Sequence, residues 1–361
     1  MKLILKQTTL LIGAMVALYG VALALSLLLV PQAQIGQRLD AGLATQSLYM
    51  TEPKYVFLAR GQLNSTSDKV VLVGASNMQA GFRQAQVQAQ LPQVEVHNLS
   101  VGGSNITQVG QIVDLVREIQ SPEARRHNTF VIGLWYGLFA DDKTRWYTDD
   151  RHAGDTDIDI ERYRYGFYRR TAHGPAPVLP PEHLGWGVTL IHPYLVLDRT
   201  ARDLTRSLRS HLAAKPKVIT DEQRNAAVLN EADKRKYLAF WRKSMGSAQT
   251  LSDAPFLVLE HTVERILADG GRVVLVDMPI PVWHAQGAVL QADYAHRVHP
   301  LLDRLQTRPG VTVVPAFDST DDDFSDEVHP KPRVTNLWAQ RLASAVAAGP
   351  VPPAAQSASM N

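Results

Sequence analysis

Cysteine is absent from all 361 residues of the chain. Its absence excludes disulfides, thiol catalysis, cysteine metal ligands and lipidation on cysteine. An exported domain with a large core can dispense with disulfides, so the absence is compatible with an oxidising compartment. An excess of charge of one sign is also missing, because the formal net charge is only +2. We therefore expect no nucleic-acid partner.

Apolar runs long enough to cross a membrane are scarce, and the chain has one, at residues 8–30. This run carries no charge, and Lys2 and Lys6 precede it. At about 1.5 Å per residue it can cross the roughly 30 Å hydrocarbon core as a helix. The two lysines favour a cytoplasmic N-terminus, with the body outside the inner membrane. A cleaved signal peptide is the alternative, although the run is long for one and no small-x-small site follows it.

The body of the chain has enough apolar material for one sizeable core, since 45% of the residues are hydrophobic and 20% are charged. Short apolar runs alternate with stretches of helical periodicity, which predicts an α/β fold with a mostly parallel sheet flanked by helices. The predicted strands are 70–73, 94–99, 130–135, 273–276 and 311–314. The predicted helices are 107–119, 256–268 and 335–347.

Composition divides the chain into four parts. We predict a membrane anchor at 1–30, a spacer at 31–68, an α/β body at 69–348 and a disordered tail rich in Pro, Ala and Ser at 349–361. The alternation stops at about 138–252, where Arg, Tyr, Trp, Asp and Pro become frequent. We interpret this block as an insertion that packs over the carboxyl edge of the sheet.

A serine follows the first predicted strand at the place where α/β folds bind ligands. The strand 70–73 runs into Gly74 and Ala75, and Ser76 comes next. Open α/β sheets bind their ligands outside the carboxyl ends of the strands. Ser76 is therefore a candidate nucleophile, although small residues after a strand are also ordinary turn chemistry.

An aspartate and a histidine three residues apart follow the last predicted strand, at Asp326 and His329. A carboxylate at this spacing can fix the tautomer of an imidazole that activates a serine hydroxyl. The same spacing occurs at Asp149 and His152 and at Asp293 and His296, so spacing alone cannot choose. Only His329 lies between the last predicted strand and the C-terminal helix, which favours Ser76, Asp326 and His329 as a triad.

Taken in chain order, Ser76, the block 98–105 (Asn-Leu-Ser-Val-Gly-Gly-Ser-Asn) and the loop 326–329 resemble the SGNH, or GDSL-like, hydrolase superfamily. The resemblance covers roughly residues 69–348 without the insertion. A membrane anchor followed by one exported domain is similar to proteins that O-acylate exopolysaccharides, as in alginate or cellulose acetylation, and to the D-alanine transfer protein of teichoic acids.

The resemblance implies that Ser76 is the nucleophile, His329 the general base and Asp326 the residue that orients His329. It also implies an oxyanion hole formed by the backbone N–H groups of Ser76 and Gly103. Two features depart from the family pattern. Ala75 stands where an aspartate is usual, and the third block, 133–139, contains no asparagine, so a third oxyanion donor is unassigned. A backbone N–H near Gly137 is one substitute.

Further residues are candidates for substrate binding: Asn105, Tyr136, Arg162, Tyr165 and His284. The segment 162–170 mixes aromatic rings with guanidinium groups, which can stack on sugars or clamp the insertion onto the core. For His284 a structural role is the alternative. Asp321, Asp322 and Asp323 suggest a cation site, but adjacent loop carboxylates are more often solvated, so we expect no metal.

The resemblance implies a periplasmic, membrane-anchored O-acyltransferase, in particular an O-acetyltransferase acting on an exopolysaccharide without a cofactor. It also implies a multispanning membrane acyltransferase as the acyl-donor partner. A carbohydrate esterase or deacetylase would use the same triad with water as the acceptor. A noncatalytic glycan-binding assembly subunit is the third hypothesis, which the missing asparagine favours and the intact triad opposes.

Overall fold

The computed structural model of the chain describes residues 1–29, 59–140, 156–164, 168–171, 174–180, 183–194, 220–245 and 248–348, with a few single positions between these ranges. The predicted tail at 349–361, the spacer residues 31–55 and Tyr165 lie outside the described residues.

The described strands in chain order are β1 (Lys69–Val73), β2 (Glu95–Asn98), β3 (Asn128–Leu134), β4 (Tyr168–Thr171), β5 (Gly174–Pro177), β6 (Arg272–Asp277) and β7 (Val311–Val314). The described helices are α1 (Lys2–Leu29), α2 (Arg60–Leu63), α3 (Ser76–Gly81), α4 (Gln84–Gln90), α5 (Ile106–Ile119), α6 (Pro122–Arg126), α7 (Tyr136–Phe139), α8 (Asp157–Arg164), α9 (Leu184–Leu190), α10 (Asp221–Asn225), α11 (Glu231–Ser244), α12 (Ala254–Ala268), α13 (Val282–Gly287), α14 (Gln291–Gln306) and α15 (Pro332–Ala348).

The N-terminal helix α1 is apolar and almost entirely exposed. Among the described residues it is the one helix long and apolar enough to cross a membrane, with a mean hydropathy of 2.3 over Lys2–Leu28. Its 28 residues span about 42 Å at 1.5 Å per residue, which exceeds the hydrocarbon core. The prediction of a helix capable of anchoring the chain is confirmed.

The centre of the body is a five-stranded sheet in the order β2-β1-β3-β6-β7, with every neighbouring pair parallel. Every residue of β1 and of β3 is buried, because helices cover both faces of the sheet. This burial explains why these strands read as continuous apolar runs instead of alternating ones. All five predicted strands are confirmed, within two residues at each end.

Helices flank the sheet in packed pairs. Helix α5 packs against α12, and α15 packs against α3 and α4. The buried stripe of α5 consists of Val109, Ile112, Val113 and Val116, which follow the helical spacing i, i+3, i+4 and i+7. All three predicted helices, now α5, α12 and α15, are confirmed. The α/β class with a mostly parallel sheet is therefore the observed architecture.

The boundary predicted between spacer and body needs correction. Ala59 and Leu63 are fully buried in the core, and Gln120 donates a hydrogen bond to the Leu63 carbonyl. We predict the boundary at residue 68 because the sequence 31–68 is polar on average. The short helix α2 lies within this range, and its apolar side packs on the body. The globular body therefore begins at or before residue 59.

The described residues of the insertion add no strand to the main sheet, and the strands β4 and β5 form a separate antiparallel hairpin. Its first half packs beside α5, where Thr156 and Asp159 hydrogen-bond to Gln111. Its second half reaches the carboxyl edge of the sheet, because Asn225 of α10 accepts a hydrogen bond from the Arg333 N–H at the start of α15. Among the described residues, Asn225 lies at the carboxyl edge as predicted, whereas Thr156 and Asp159 lie beside α5.

Candidate active site

Asp326 and His329 form a close carboxylate–imidazole pair in the loop between β7 and α15. Both carboxylate oxygens lie near His329 Nδ1, at 2.9 and 2.8 Å. The same carboxylate accepts the backbone N–H groups of Val328 and His329, at 3.0 and 2.8 Å. The partner on Nδ1 places the proton of a neutral imidazole there, which leaves Nε2 as a proton acceptor. This is the arrangement a general base requires.

The charges around the pair tune both groups toward their roles. Burial opposes ionisation of Asp326, but the hydrogen bond and charge of His329 outweigh it and lower the pKa of the carboxyl. Burial lowers the pKa of His329, while the hydrogen bond and charge of Asp326 and the charge of Glu327 raise it, with a net rise. Asp326 is thereby held ionised, and His329 becomes a stronger base.

Ser76 is the first residue of α3, directly beyond the carboxyl end of β1. The turn before it needs glycine at position 74, because a Cβ there would lie 2.8 Å from the Met78 Cβ. The Ser76 side chain is partly exposed, and within the described part of the chain its Oγ has no hydrogen bond. The hydroxyl is therefore accessible and uncommitted.

The loop after β2 is fastened against the Ser76 turn. Gly74 O accepts hydrogen bonds from the Val101 N–H at 2.8 Å and from Ser104 Oγ at 3.1 Å. Asn98 donates to the Phe82 carbonyl at the end of α3, at 2.9 Å. Backbone and polar side-chain hydrogen bonds therefore hold this loop against the Ser76 turn, with Gly102 beside Ser76.

Two adjacent glycines of this loop face the nucleophile region. A Cβ built on Gly102 would lie 3.9 Å from Ser76 Cβ. Gly103 has φ = +73°, in the left-handed region that favours glycine, and no atom lies within 4 Å of the position of its missing Cβ. The sequence predicts a role for Gly103, whereas the contact with Ser76 Cβ belongs to Gly102, which the sequence did not single out.

The loop that carries His329 has to cross the sheet edge, since β7 is three strands from β1, or about 14 Å at 4.8 Å per strand. The Glu327 carbonyl accepts a hydrogen bond from His284 Nδ1 at 2.6 Å. Residues flanking the loop, Phe317 and Trp338, pack against Phe82, with ring centroids 6.0 and 6.2 Å away. The loop thus folds back toward α3.

No hydrogen bond joins Ser76 Oγ to His329 among the described residues. Hydrogen bonds between catalytic groups often become short only when the substrate is bound.

Tyr136 and His284 form a buried pair that contacts the His329 loop through His284. The Tyr136 hydroxyl lies 2.7 Å from His284 Nε2, and both side chains are fully buried. Burial lowers the pKa of His284, against the raising effects of its Glu327 hydrogen bond and the Asp326 charge. The structural alternative stated for His284 therefore accounts for its contacts. Tyr136 also lines a cavity of about 350 Å³ with Leu238, Trp241 and Met245.

The remaining candidates for substrate binding have structural contacts. Asn105 caps α5, and its side chain accepts the Gln108 N–H at 3.0 Å. Arg162 is buried, lies 3.4 Å from Glu118 near the far end of α5, and stacks over Tyr168. These contacts favour the clamp interpretation for Arg162. A role in substrate binding for either residue stays an untested prediction.

The third block supplies no side-chain amide, as its sequence indicates. Gly137 lies directly under the Trp135 indole, since a Cβ there would fall 2.4 Å from the ring. Glycine at this position thus has a packing reason of its own. The identity of a third oxyanion donor stays a prediction.

The acidic run 321–323 is committed to protein contacts. Asp321 accepts the Val282 N–H at 2.6 Å. Asp322 pairs with Lys331 at 2.8 Å and Arg333 at 2.7 Å, and Asp323 accepts the Thr320 N–H at 2.8 Å. Across the described residues no group of three or more His, Asp or Glu side chains is placed to hold a metal ion.

Two residues of the insertion influence the site electrostatically, and no sequence motif predicted either of them. The positive charge of Arg224 on α10 lowers the pKa of His329. Burial raises the pKa of Tyr237 on α11, and the negative charges of Glu327 and Asp326 raise it further. Helix α10 is held beside the site because Asp221 accepts two hydrogen bonds from Arg83, at 2.6 and 2.9 Å. Arg224 and Tyr237 thus lie within electrostatic range of the Asp326–His329 pair.

No protein-family model matches the chain. No curated protein matches it significantly either.

Proposed function

We propose that this protein is a membrane-anchored serine acyltransferase that carries an acyl group, in particular acetyl, to a hydroxyl of an exopolysaccharide. The observation that carries the proposal is the Asp326–His329 pair, with Nδ1 held by the carboxylate at 2.8 Å and Nε2 left without a partner among the described residues. This pair lies at the same sheet edge as the accessible Ser76 hydroxyl. Such a combination suits an activated oxygen nucleophile.

In the first half of the proposed reaction, Ser76 Oγ attacks the acyl carbonyl carbon and its proton passes to His329 Nε2. The backbone N–H groups of Ser76 and the 102–103 loop would hold the oxyanion, and one such donor is typically worth about 3 kcal/mol. The bond to the leaving group then breaks, and the leaving group takes the proton from His329. Acyl-Ser76 is the product of this half.

In the second half, His329 removes the proton of an acceptor hydroxyl, which attacks the acyl-Ser76 carbonyl. The Ser76 Oγ–acyl bond breaks, and Oγ regains the proton from His329. A sugar hydroxyl as acceptor gives transfer, while water as acceptor gives the esterase alternative.

The localisation belongs to the same proposal. Helix α1 is long enough to anchor the chain, and Lys2 and Lys6 favour a cytoplasmic N-terminus and a periplasmic body. A multispanning membrane acyltransferase as donor rests on the family resemblance alone.

Intact-mass spectrometry of the full chain in detergent tests the proposal. After incubation with p-nitrophenyl acetate and acid quenching, the wild type should gain one acetyl group and Ser76→Ala none. Ser344→Ala is the matched control, because this exposed serine bonds only within α15 and should not affect the adduct. Adding oligosaccharide acceptors then separates transfer from hydrolysis. Absence of both adduct and ester turnover in the wild type would favour the noncatalytic glycan-binding hypothesis.

A further inference from the structure

The insertion contains a row of exposed apolar side chains that neither the fold nor the candidate site uses. Residues 184–190 and the described positions among 192–208 are helical apart from the turn at 191. Six large side chains there are between 47% and 74% exposed, namely Trp186, Leu190, Tyr194, Leu197, Leu204 and Leu208. Their spacings in the sequence, of four, four, three, seven and four residues, match the helical repeat, and a turn at 191 separates the described helical stretches. An exposed apolar row of this size is uncommon on a surface that meets only water.

The contacts of this segment with α1 fix its depth. Tyr19 of α1 donates a hydrogen bond to the Leu190 carbonyl, and Ser26 Oγ lies 2.9 Å from His192 Nδ1. Tyr19 is ten residues, or about 15 Å, before the end of α1 at Leu29. If α1 crosses the bilayer, Leu190 lies below the surface of the hydrocarbon region. Interfacial helices bury their apolar faces to about 5–10 Å in this way.

The charges of the segment fit a lipid surface. Four arginines, at 199, 202, 206 and 209, are interleaved with the apolar positions, against two aspartates at 198 and 203. Basic residues interleaved with apolar ones at helical spacing are the pattern of helices that lie on anionic membranes, since anionic lipid attracts cations near the surface. A second copy of the chain would place these like charges close together, which opposes pairing through this face.

We propose that the six exposed apolar side chains between Trp186 and Leu208 are a second membrane contact, which lies in the lipid–water interface beside α1. These side chains enter the acyl region, and the basic residues of the same stretch of sequence favour anionic head groups. The contact would hold the body against the membrane at a fixed orientation, which a single anchor helix cannot do. The proposal depends on α1 spanning the bilayer and is independent of the acyl-transfer chemistry.

The absence of cysteine makes a site-specific test direct. Single-cysteine variants of the full chain, Leu197→Cys and Leu204→Cys, are labelled with the fluorophore NBD and reconstituted in phosphatidylcholine–phosphatidylglycerol vesicles containing brominated acyl chains. Val228→Cys is the matched control, since Val228 is an exposed apolar residue at 84% in another part of the insertion. Leu11→Cys, in the uncharged part of α1, reports burial in lipid.

The proposal expects bromolipid to quench the labels at 197 and 204 nearly as strongly as the label at 11, and to leave the label at 228 unquenched. Replacing Arg202 and Arg206 by Gln should reduce quenching at 204, and unchanged quenching would overturn the head-group contact. Labels at 197 and 204 that behave like the label at 228 would overturn the whole proposal. So would self-quenching that unlabelled protein relieves, because it would indicate a contact between copies. A label at 11 that bromolipid does not quench would show that α1 does not span the bilayer, which would overturn the proposal as well.

Discussion

Selected polar groups at the two edges of the central sheet differ in their hydrogen bonding. At the amino edge, Lys69 is fully buried and its ammonium donates to the carbonyls of Ser65 and Ser67, both at 2.6 Å. Gln120 and Asn128 exchange reciprocal amide hydrogen bonds beside it, at 3.1 and 2.7 Å. At the carboxyl edge, Ser76 Oγ and His329 Nε2 have no partner among the described residues.

This difference follows from burial. An unpaired polar atom costs about 1–3 kcal/mol when it is buried, so the buried Lys69 ammonium and the paired amides need these hydrogen bonds. The carboxyl edge is partly open, with Asp326 and His329 side chains each 27% exposed, and water can serve atoms that the protein leaves free. The polar groups named at the closed edge are bonded within the fold, whereas Ser76 Oγ and His329 Nε2 at the open edge have no partner among the described residues.

The largest expected effect lies at the open edge. Asp326→Asn keeps an oxygen for the Val328 and His329 N–H groups but removes the charge that holds the His329 tautomer. We expect acyl turnover of an activated ester to fall by about 10⁴-fold, the size of the loss when the triad carboxylate of a serine protease is replaced by an amide. Steady-state kinetics of the full chain in detergent measure it.

The matched control is Asp293→Asn, because Asp293 and His296 have the same spacing but lie on α14. Asp293 accepts the Leu251 N–H at 2.8 Å, and the asparagine oxygen can do the same. Its turnover should stay within about twofold of wild type, the size expected away from the reacting groups. Equal losses in the two variants would break the assignment of the carboxyl edge as the reactive one.

The next effect lies at the closed edge and is one of stability. Burial, opposed by the charges of Glu95 and Asp68, lowers the pKa of Lys69 from 10.5 to about 8. Between these values the unfolded chain binds more protons than the folded one, so stability rises with pH across this window. The gain reaches about 3 kcal/mol, at roughly 1.4 kcal/mol per pKa unit. Lys69→Met should lack this rise.

Denaturant unfolding of both chains from pH 7 to pH 10 checks the Lys69 prediction. Other titrating groups are common to the two chains, so the difference between their unfolding free energies isolates Lys69. Parallel pH profiles would show that the ammonium is not the buried, costly group the structure describes.

Two glycines with positive φ, one at each edge, give a smaller and more selective comparison. Gly103 has φ = +73° and Gly270, before β6, has φ = +81°. Alanine in this region costs about 1–2 kcal/mol, so both substitutions should lower the unfolding free energy by a similar amount. Only Gly103→Ala should lower kcat, by roughly tenfold if it removes about 1.4 kcal/mol of transition-state stabilisation. A similar kcat loss in Gly270→Ala would make the effect on Gly103 one of stability alone.

The sequence predicted the sheet well because a parallel sheet covered on both faces needs continuous apolar strands. It did not predict α11, which buries none of its residues, or α14, which contains Pro300. A helix without a buried stripe carries little periodic signal, and an internal proline is read as a stop. Tertiary packing holds both helices.

The candidate site was predictable where chain order and local spacing define it. Asp326 and His329 are three residues apart, so their contact could be anticipated from one loop. Gly102 was missed because a sequence does not show which of two adjacent glycines approaches Ser76. Arg224 and Tyr237 were missed because their places depend on how the insertion folds back, which no local pattern encodes.

The smallest expected effect concerns these long-range charges at the open edge. The charge of Arg224 lowers the pKa of His329 and that of Glu327 raises it. Arg224→Met should therefore raise the pKa of His329, and Glu327→Gln should lower it. Because the base acts when unprotonated, the acid limb of kcat/KM should move to higher pH in the first variant and to lower pH in the second. Both changes leave the Asp326 contact in place, and the hydrogen bond between His284 and the Glu327 carbonyl does not involve the substituted side chain.

Initial rates measured across the acid limb distinguish two outcomes. Shifts of the limb in the same direction would indicate a disturbed loop, whereas shifts in opposite directions require that both charges act on the pKa of His329.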